Sequence, residues 1–363
     1  MKRCRTCLIP DTRPDINFDE TGECSACRAY RARPEIDWDA RKHELIELLD
    51  RHNGVCIVPS SGGKDSTAQV VKLKELGAHV TCVTATTCHL TDIGKRNIEN
   101  LARIADRTVE VTPNRAVRAK LNRLGLELVG DISWPEHVSI FTTPFKVACD
   151  IGIPLIFYGE CPQNQYGGPE GSESAKVMTR RWVSEFGGFL GLRPIDLIGK
   201  EGITERDMES YQQPNPDIIA ACGVESHFLG QYLPWDSHEN AKIATENGMR
   251  CALPCDANWW EHENLDNAQT GIHDYMAYRK YGLSRCCSQL SVDIRSGRIT
   301  RDAALKILEE REFRFPFLYA GVSVQEMLYR IGMKLDDLIK IMDGFTDRKI
   351  HAGNTNHSNY LVT

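Results

Sequence analysis

Two pairs of cysteines near the N-terminus have the spacing of a metal site. Cys4 and Cys7 form one Cys-x-x-Cys pair, Cys24 and Cys27 form a second, and sixteen residues separate the pairs. Two residues between thiolates let one tight turn direct both sulfur atoms at the same ion, and two such turns complete a tetrahedral site. The spacing predicts structural zinc, and an iron–sulfur or redox centre and free thiols are the alternatives. Because a closed four-thiolate site has no open coordination position, the chemistry must lie elsewhere in the chain.

A second group of residues suited to ligand binding is the glycine-rich run at residues 60–67, Ser-Ser-Gly-Gly-Lys-Asp-Ser-Thr. It follows the apolar run Val55–Pro59 and precedes a run with helical spacing that stops at Gly77. Glycines allow close approach of the backbone, and the amides at a helix N-terminus attract anions. The run is not a Walker A loop, because Val58 stands where that motif needs glycine. We therefore expect a different phosphate-binding loop, the alternative being a glycine-rich turn with an Asp/Ser helix cap.

The segments around this loop alternate between strand and helix patterns. Four short apolar runs fit buried strands: Val55–Pro59, Val80–Thr84, Thr108–Val111 and Leu155–Tyr158. Helical patterns cover residues 37–53 and 95–104. Strands separated by helices predict an α/β fold with a parallel sheet and helices on both faces. Since ligands of such sheets bind beyond the carboxyl ends of the strands, the loops after Pro59, Thr84 and Tyr158 should converge on one ligand.

The run from Ser61 to Ser66 resembles the pyrophosphate loop of the N-type ATP pyrophosphatases, the PP-loop family. Members cleave ATP between the α- and β-phosphates and adenylate a carbonyl oxygen. The resemblance implies an adenine nucleotide alpha hydrolase-like fold with ATP and Mg²⁺ as cofactors. It also implies that the nucleotide is bound by Ser61, Gly62, Gly63, Ser66, Thr67, Thr84 and Gly159. Lys64 would add a cation, and Asp65 would either cap the helix or hold Mg²⁺ through water.

Longer stretches are similar to one PP-loop subfamily, the N-acetyl sugar amidotransferases of bacterial surface-polysaccharide and pseudaminic-acid-type sugars. The similarity covers nearly the whole chain to Arg348 and is carried by residues 95–101, 130–137, 166–170, 232–236, 263–267, 271–275 and 294–301. It implies that ATP activates the amide of an N-acetylated sugar or nucleotide-sugar. Ammonia then replaces the oxygen, which gives an acetamidino group, AMP and pyrophosphate.

The source of ammonia is expected to be another protein. A glutaminase needs a nucleophilic cysteine with a partner base, or an N-terminal cysteine. Residue 2 is lysine, and Cys4 belongs to the predicted metal site. The resemblance therefore implies a separate glutaminase with a cyclase-like protein as partners.

Several loops depart from the subfamily pattern by gaining cysteines. Cys161 stands where the subfamily has asparagine, Cys286 and Cys287 lie in an altered Lys-Tyr-Gly-Leu-Ser-Arg run, and Cys88 follows a pair of threonines where an acidic pair is expected. One interpretation is lineage drift, because cysteine is small and easily buried. The other is that these four cysteines converge beside the ATP and carry persulfide sulfur or an iron–sulfur cluster. The enzyme would then be a sulfurtransferase that forms a thioamide or thiolates tRNA.

Charged residues complete the set of candidates. Glu160 directly follows the fourth strand and is the candidate general base. Lys280 and Arg285 follow a long helical stretch and are candidates for phosphate contact, the alternative being an ion-paired helix end. His137 and His273 lack metal-ligand spacing and are interpreted as structural hydrogen-bonding residues.

The composition is typical of a globular protein. The chain has 363 residues, 41% hydrophobic and 26% charged, with a net charge of −6, which excludes general disorder. The acidic balance makes nucleic acid an improbable partner. The sequence contains neither a membrane-spanning run nor an apolar signal segment, so we expect a cytoplasmic protein without membrane contact; a homodimer is compatible with this.

The expected organisation has four parts. They are a zinc ribbon at residues 1–35, a PP-loop domain at 36–235, a C-terminal helical substrate region at 236–348 and a polar tail at 349–363. Residues 161–235 are expected to form a substrate lid. Three short helices are expected in the C-terminal region, at residues 300–310, 324–331 and 335–342.

Overall fold

A five-stranded parallel sheet forms the centre of the protein. The computed structural model describes residues 1–159, 176–179, 181–183, 187–255 and 257–351. The strands of the sheet are β1 (Val55–Pro59), β2 (His79–Ala85), β3 (Arg107–Val111), β4 (Leu155–Tyr158) and β5 (Glu225–Phe228). Their order across the sheet is β3-β2-β1-β4-β5. A two-stranded antiparallel ribbon, β6 (Leu318–Tyr319) and β7 (Val322–Ser323), lies in the C-terminal part.

Fourteen α-helices surround these strands in the described part of the chain. The first six are α1 (Ser25–Arg31), α2 (Trp38–Arg51), α3 (Lys64–Glu75), α4 (Asp92–Ile104), α5 (Arg115–Val129) and α6 (Trp134–Ile151). The next four are α7 (Glu205–Met208), α8 (Pro216–Ala221), α9 (Ser237–Glu246) and α10 (Thr270–Tyr281). The last four are α11 (Arg285–Arg295), α12 (Arg301–Arg311), α13 (Val324–Arg330) and α14 (Leu335–Phe345). None of the helices described here is both long and apolar enough to cross a bilayer.

The strands pack on both faces because their side chains alternate. In β1, Cys56 and Val58 face a cluster formed with the apolar residues of α2, α3 and α4. Ile57 points to the opposite face and packs with Phe145 and Ala148 of α6. Successive residues of a strand point to opposite faces, so a short, wholly apolar run is the pattern of a strand covered on both sides. The structure confirms the predicted α/β class and the parallel sheet with helices on both faces.

The fifth strand corrects the predicted substrate lid. Residues 225–228 fall inside the segment 161–235, yet they form the edge strand β5, with Leu155 of β4 opposite Glu225. Earlier in the same segment, Met208 and Tyr211 are buried against Trp134 of α6. Much of the described part of this segment therefore belongs to the body of the protein rather than to a lid.

The C-terminal helices pack against both the sheet region and the N-terminus. The helices expected at residues 300–310, 324–331 and 335–342 are confirmed as α12, α13 and α14. Leu338 and Met342 of α14 share a buried cluster with Leu126 of α5. In a separate cluster, Leu8 packs with Leu290 of α11 and Leu308 of α12.

The close approach of α4 to the segment before α10 gives a testable contrast between two helical glycines. A Cβ added at Gly94 would lie 2.5 Å from Cα of Asp266, whereas a Cβ at Gly344 of α14 meets nothing within 4 Å. Gly94→Ala should lower the free energy of unfolding by about 1–3 kcal/mol, because backbone would have to move. Gly344→Ala should raise it by about 0.5 kcal/mol, because alanine is the better helix former.

Urea unfolding followed by circular dichroism measures both changes. If Gly94→Ala were as stable as Gly344→Ala, the tight contact between α4 and Asp266 would not exist in solution.

Candidate functional site

A cavity of about 410 Å³ opens at the carboxyl ends of β1 and β4. Its lining includes residues 59–66 after β1, Ala85 and Thr87 after β2, Gly159 after β4, and residues 262–266 before α10. The strand order reverses direction between β1 and β4, and in open parallel sheets ligands bind at such a reversal. The loops that follow the first, second and fourth strands therefore meet at one site, as predicted.

Gly62 fixes the shape of the loop after β1. Its φ is +77°, and an added Cβ would lie 2.5 Å from the backbone nitrogen of Ile98 and 2.7 Å from the carbonyl carbon of Asn97. Only a residue without a side chain permits both this backbone conformation and this approach to α4. The loop then enters α3 through Gly63, the N-cap residue. The amides of the first turn have no carbonyl partner within the helix, which makes this end of α3 suitable for phosphate.

Asp65 does not cap α3, so that interpretation is wrong. Gly63 occupies the N-cap position, and no side chain caps the helix. The carboxylate of Asp65 instead accepts hydrogen bonds from Nζ of Lys64 at 2.6 Å and from Nδ2 of Asn240 in α9 at 3.0 Å. The alternative role, as a ligand of Mg²⁺, remains compatible with this position at the cavity.

A cation, a carboxylate and an imidazole meet beside the loop, namely Lys64, Glu263 and His262. Burial disfavours the charged form of Glu263, but the charges of Lys64 and Arg285 outweigh burial and hold the pKa of this carboxyl below its usual value. Burial, together with the charge of Lys64, lowers the pKa of His262 to about 4, so this imidazole is neutral at neutral pH. Nε2 of His262 is buried and accepts or donates no hydrogen bond among the described residues. A neutral imidazole and an ionised carboxylate thus lie next to the loop cation.

Two further carboxyl groups line the cavity. Burial raises the pKa of Glu136 on α6, although the charge of Arg118 and a hydrogen bond from Asn122 oppose the shift. Burial also raises the pKa of Asp266. Carboxylate oxygens are the protein ligands that Mg²⁺ prefers, and one or two of them usually suffice when phosphates supply the rest. The donor set of the cavity therefore fits a nucleotide with Mg²⁺.

The four carboxyl and imidazole groups just described were missed by sequence reasoning. Glu136 and Glu263 lie in stretches that carry the family resemblance, but neither stretch has a spacing that predicts a role. His262 and Asp266 reach the cavity because the segment before α10 folds over α4, a long-range contact without a local pattern.

Most of the predicted nucleotide contacts lie on the cavity wall. Ser61, Gly62, Gly63, Ser66 and Gly159 line it, as do Lys64 and Asp65. An added Cβ at Gly159 would lie 2.9 Å from the side chains of both Gln69 and Trp235, so a larger residue at this position would have to displace them. The cavity wall thus contains the glycine-rich loop that the resemblance implies for nucleotide binding.

Thr67 and Thr84 are placed differently from the prediction. Thr67 is fully buried behind the first turn of α3. Thr84 is also buried, and its hydroxyl contacts the hydroxyl of Ser60 at 3.0 Å. Neither residue lines the cavity, and only Thr84 contacts the loop residue Ser60 through its side chain.

Lys280 and Arg285 also lie outside the cavity wall. Nζ of Lys280 donates to the carbonyl oxygen of Val129 at 3.1 Å, beside the ring of Phe345. Arg285 pairs with Asp274 at 2.9 Å at the start of α11. Arg285 therefore matches the alternative interpretation, an ion-paired helix end. Its positive charge still helps to lower the pKa of Glu263, which lines the cavity.

The predicted convergence of cysteines does not occur among the described residues. Cys286 and Cys287 are fully buried in the cluster around Leu8, and burial raises the pKa of Cys286 to about 12. Cys88 is not part of the cavity wall, and burial raises its pKa to about 11. All three are therefore thiols rather than reactive thiolates at neutral pH. Cys161, and Glu160 as candidate base, fall outside the described residues.

The four N-terminal cysteines fit a metal ion. All four side chains are buried, and their sulfur atoms lie within 4.8 Å of one another. Cys7 and Cys24 are separated by 3.7 Å between sulfurs, and Cys4 and Cys27 by 4.0 Å. Sulfurs about 2.3 Å from a central ion lie about 3.8 Å apart in a tetrahedron. The arrangement therefore matches a tetrahedral thiolate site and is far from the separation of a disulfide.

Comparisons with known proteins concern parts of the chain. An NMN synthetase structure from Francisella tularensis is similar at 13% identity over 61% of this chain and 99% of that chain, with a TM-score of 0.28. An NH3-dependent NAD synthetase from Campylobacter jejuni, with a nitrate ion, is similar at 12% identity over 60% of this chain and 100% of that chain, with a TM-score of 0.30. No curated protein matches the chain. Residues 257–361 match the family model described as LPS biosynthesis protein WbpG-like, C-terminal domain, which supports the resemblance found in the sequence.

The two adjacent loop glycines provide a matched test of the loop geometry. Gly62→Ala should lower the free energy of unfolding by at least about 2 kcal/mol and weaken ATP binding, because the left-handed backbone and the contact with α4 both exclude a Cβ. In contrast, Gly63 has a φ of −75°, and its added Cβ would meet only Oγ of Ser61, at 3.4 Å. Because alanine is a poorer N-cap than glycine, Gly63→Ala should lower the free energy of unfolding, but by no more than about 1 kcal/mol.

Chemical denaturation and calorimetric titration with ATP measure the two effects. Equal stability of the two variants would show that the loop does not adopt this conformation.

The buried imidazole of His262 predicts a pH effect. Between its ordinary pKa of about 6.5 and its folded value of about 4, the unfolded chain takes up a proton and the folded protein does not. The free energy of unfolding should therefore fall as pH drops through this window, and less steeply in His262→Gln. Denaturation at several pH values measures the slopes, with His43→Gln on the surface of α2 as control. If the free energy of unfolding of His262→Gln depends on pH as steeply as that of the wild type, His262 does not have a lowered pKa in the folded protein.

Proposed function

We propose that this protein is an ATP-dependent N-acetyl sugar amidotransferase. It adenylates the amide oxygen of an acetamido group, and ammonia then displaces AMP to leave an acetamidino group. ATP is cleaved to AMP and pyrophosphate. The observation that carries the proposal is the run Ser61–Ser66, which resembles a pyrophosphate loop and lines a cavity at the reversal of strand order.

The loop is suited to bind and release a pyrophosphate group. The free amides at the start of α3 and the positive end of its dipole attract the β- and γ-phosphates. Lys64 adds a buried cation, and its side chain is held by Asp65 rather than left mobile. Charge that develops on the departing pyrophosphate would meet groups that are already oriented, which is how a preorganised site lowers a barrier.

The remaining cavity groups suit the activation of an amide. An amide carbonyl is a poor electrophile, and transfer of AMP to its oxygen creates a good leaving group. Mg²⁺, when bound, neutralises phosphate charge, and Asp65, Glu263 and Asp266 are the carboxyl groups that could hold it. The neutral imidazole of His262 could accept a proton from the attacking ammonia, because its buried Nε2 is not otherwise hydrogen bonded among the described residues.

The proposed acceptor class rests on the C-terminal part of the chain. Residues 257–361 match a domain model of LPS biosynthesis proteins, and this segment includes His262, Glu263 and Asp266 on the cavity wall. The same segment that matches the polysaccharide family thus contributes to the site where an acceptor would meet ATP. We propose an N-acetylated sugar or nucleotide-sugar as the acceptor, in the cytoplasm.

Ammonia is preferred over sulfide as the nucleophile. Of the described cysteines that would have carried sulfur, Cys286 and Cys287 are buried in the cluster around Leu8. Cys88 is half-buried, its pKa is raised to about 11, and it is not part of the cavity wall. Ammonia would come from a separate glutaminase with a cyclase-like protein. The cysteines at positions 4, 7, 24 and 27 would hold a structural zinc ion, which stabilises a unit too small for a core of its own.

The products of ATP cleavage provide the first test. Purified protein with ATP, Mg²⁺, ammonia and an N-acetylated nucleotide-sugar should form AMP and pyrophosphate in step with consumption of the sugar. Lys64→Gln should reduce this rate by about 10²–10³-fold, the usual cost of removing one oriented group from a charge-stabilising site. Lys74→Gln, at the exposed end of the same helix, should keep the wild-type rate.

Mass spectrometry of the sugar product separates the two nucleophiles. Replacement of oxygen by NH makes the product lighter than the acceptor, whereas replacement by sulfur makes it heavier. Formation of ADP and orthophosphate would contradict the pyrophosphatase assignment, and a heavier product made only with sulfide would contradict the choice of ammonia.

A further inference from the structure

Two histidines and an aspartate that are distant in sequence meet at one point outside the cavity wall. Asp131 follows α5, His137 lies in α6 and His273 lies in α10. Nδ1 of His273 donates to Oδ1 of Asp131 at 2.7 Å, and Nδ1 of His137 lies 3.1 Å from Oδ2. One ligand-type atom from each residue lies within 4.8 Å of the other two. Sequence spacing gave no sign of this cluster. The interpretation of the two histidines as structural hydrogen-bonding residues describes His273 but does not account for their meeting at one carboxylate.

The distances within the cluster suit coordination of an ion. Two ligand atoms about 2.1 Å from a metal ion and at about 90° to each other lie about 3.0 Å apart. The two nitrogen–oxygen distances are close to this value. The rings of His137 and His273 lie edge to face with centroids 5.0 Å apart, and both Nδ1 atoms lie within 3.1 Å of the same carboxylate.

His137 is poorly explained by a simple hydrogen bond. Although Nδ1 is near the carboxylate, it is not aligned for a hydrogen bond and is buried without one among the described residues. Beside it, Gly188 has a φ of +76°, and an added Cβ there would lie 3.0 Å from Nδ1. A buried nitrogen beside a carboxylate is thus left without a well-aligned hydrogen bond among the described residues, and the space next to it is kept free of a side chain.

The carboxylate is oriented by the surrounding structure. Asp131 is 3% exposed, and Oδ1 accepts a hydrogen bond from the backbone amide of Ser133 at 2.9 Å. On the far side of His273, Asp274 is fixed by Arg285. Carboxylates beyond the coordinating residues commonly orient a metal-binding histidine. Meanwhile, the side chains of His137 and His273 are 26% and 24% exposed, which leaves one side of the cluster open.

We propose that Asp131, His137 and His273 bind a divalent transition-metal ion, such as Zn²⁺, at a second site distinct from the four cysteines. Two imidazoles with one carboxylate form a donor set typical of such ions and not of Mg²⁺ or Ca²⁺. Three protein ligands leave further positions for water or a substrate oxygen, as in catalytic rather than structural sites. The inference does not depend on the reaction proposed above.

The site lies next to the cavity. His137 directly follows Glu136, and Ile140 and Phe141, one turn farther along α6, line the cavity. An ion held by His137 would therefore be within one helical turn of the wall where ATP is proposed to bind. Its open positions would suit an oxygen-rich ligand that extends out of the cavity.

Metal content of the full-length protein tests the proposal. Nucleotide-free protein is equilibrated with Zn²⁺ in the presence of excess Mg²⁺, desalted and analysed by mass spectrometry for metals. Wild type and the surface variant His43→Gln should hold two zinc ions per chain, and His137→Gln and His273→Gln should hold one. Loss of either histidine should weaken zinc binding at the second site by more than about 100-fold. Loss of a residue that only hydrogen-bonds to a metal ligand already lowers metal affinity by about 10–100-fold.

Cobalt identifies the ligands directly. Co²⁺ added to protein that already holds one zinc ion should give weak visible absorption without a thiolate charge-transfer band, and the two histidine variants should lack it. Circular dichroism shows whether the variants remain folded. One zinc ion in wild type, two in both histidine variants, or a thiolate band for the added cobalt would each overturn the proposal and leave the cluster as a structural ion pair.

Discussion

Backbone contact between Gly62 and α4 is the constraint on which the candidate site depends. Where the loop after β1 turns into α3, Gly62 has a left-handed backbone conformation and packs against the backbone of Asn97 and Ile98. This contact sets the direction of α3, and α3 in turn packs against α9, where Asn240 holds both Lys72 and Asp65. The position of the amides that would face phosphate is therefore decided by main-chain packing, which is more rigid than a set of side chains.

The charges around the loop are balanced within the protein itself. Lys64 is buried and would be costly to hold without nearby carboxylates, and Asp65 and Glu263 compensate it. A polyphosphate that entered the cavity would compete for the same cation and leave those carboxylates available to a divalent ion. The positive and negative charges come from different parts of the chain. Lys64 begins α3, whereas Glu263 belongs to the segment before α10. Assembly of the site thus requires the C-terminal part to pack on the sheet.

The sequence was informative where local pattern decides structure. The strands β1 and β4 were predicted with their observed bounds because an apolar run covered on both faces has a clear signature. The strand β5 was missed because Glu225, Ser226 and His227 are polar; in the structure the hydroxyl of Ser226 bonds to the carbonyl of Met178, and His227 bonds to Tyr232. The phosphate loop was recognisable from contiguous residues. The burial of Cys286 and the meeting of His137 with His273 depend on helix packing between distant segments, which neither spacing nor composition encodes.

The cluster of four N-terminal cysteines is joined to the α12 region. Arg301 donates to the carbonyl oxygens of Cys4 and Cys7, and Arg3 pairs with Glu312. The cysteines precede by a long stretch of chain the helices that cover them, so during synthesis they leave the ribosome well before those helices do. Until the helices are made, the thiols of the nascent ribbon are exposed to solvent. Early capture of a metal ion would protect those sulfurs from oxidation over this interval and keep the docking surface intact for the arriving helices.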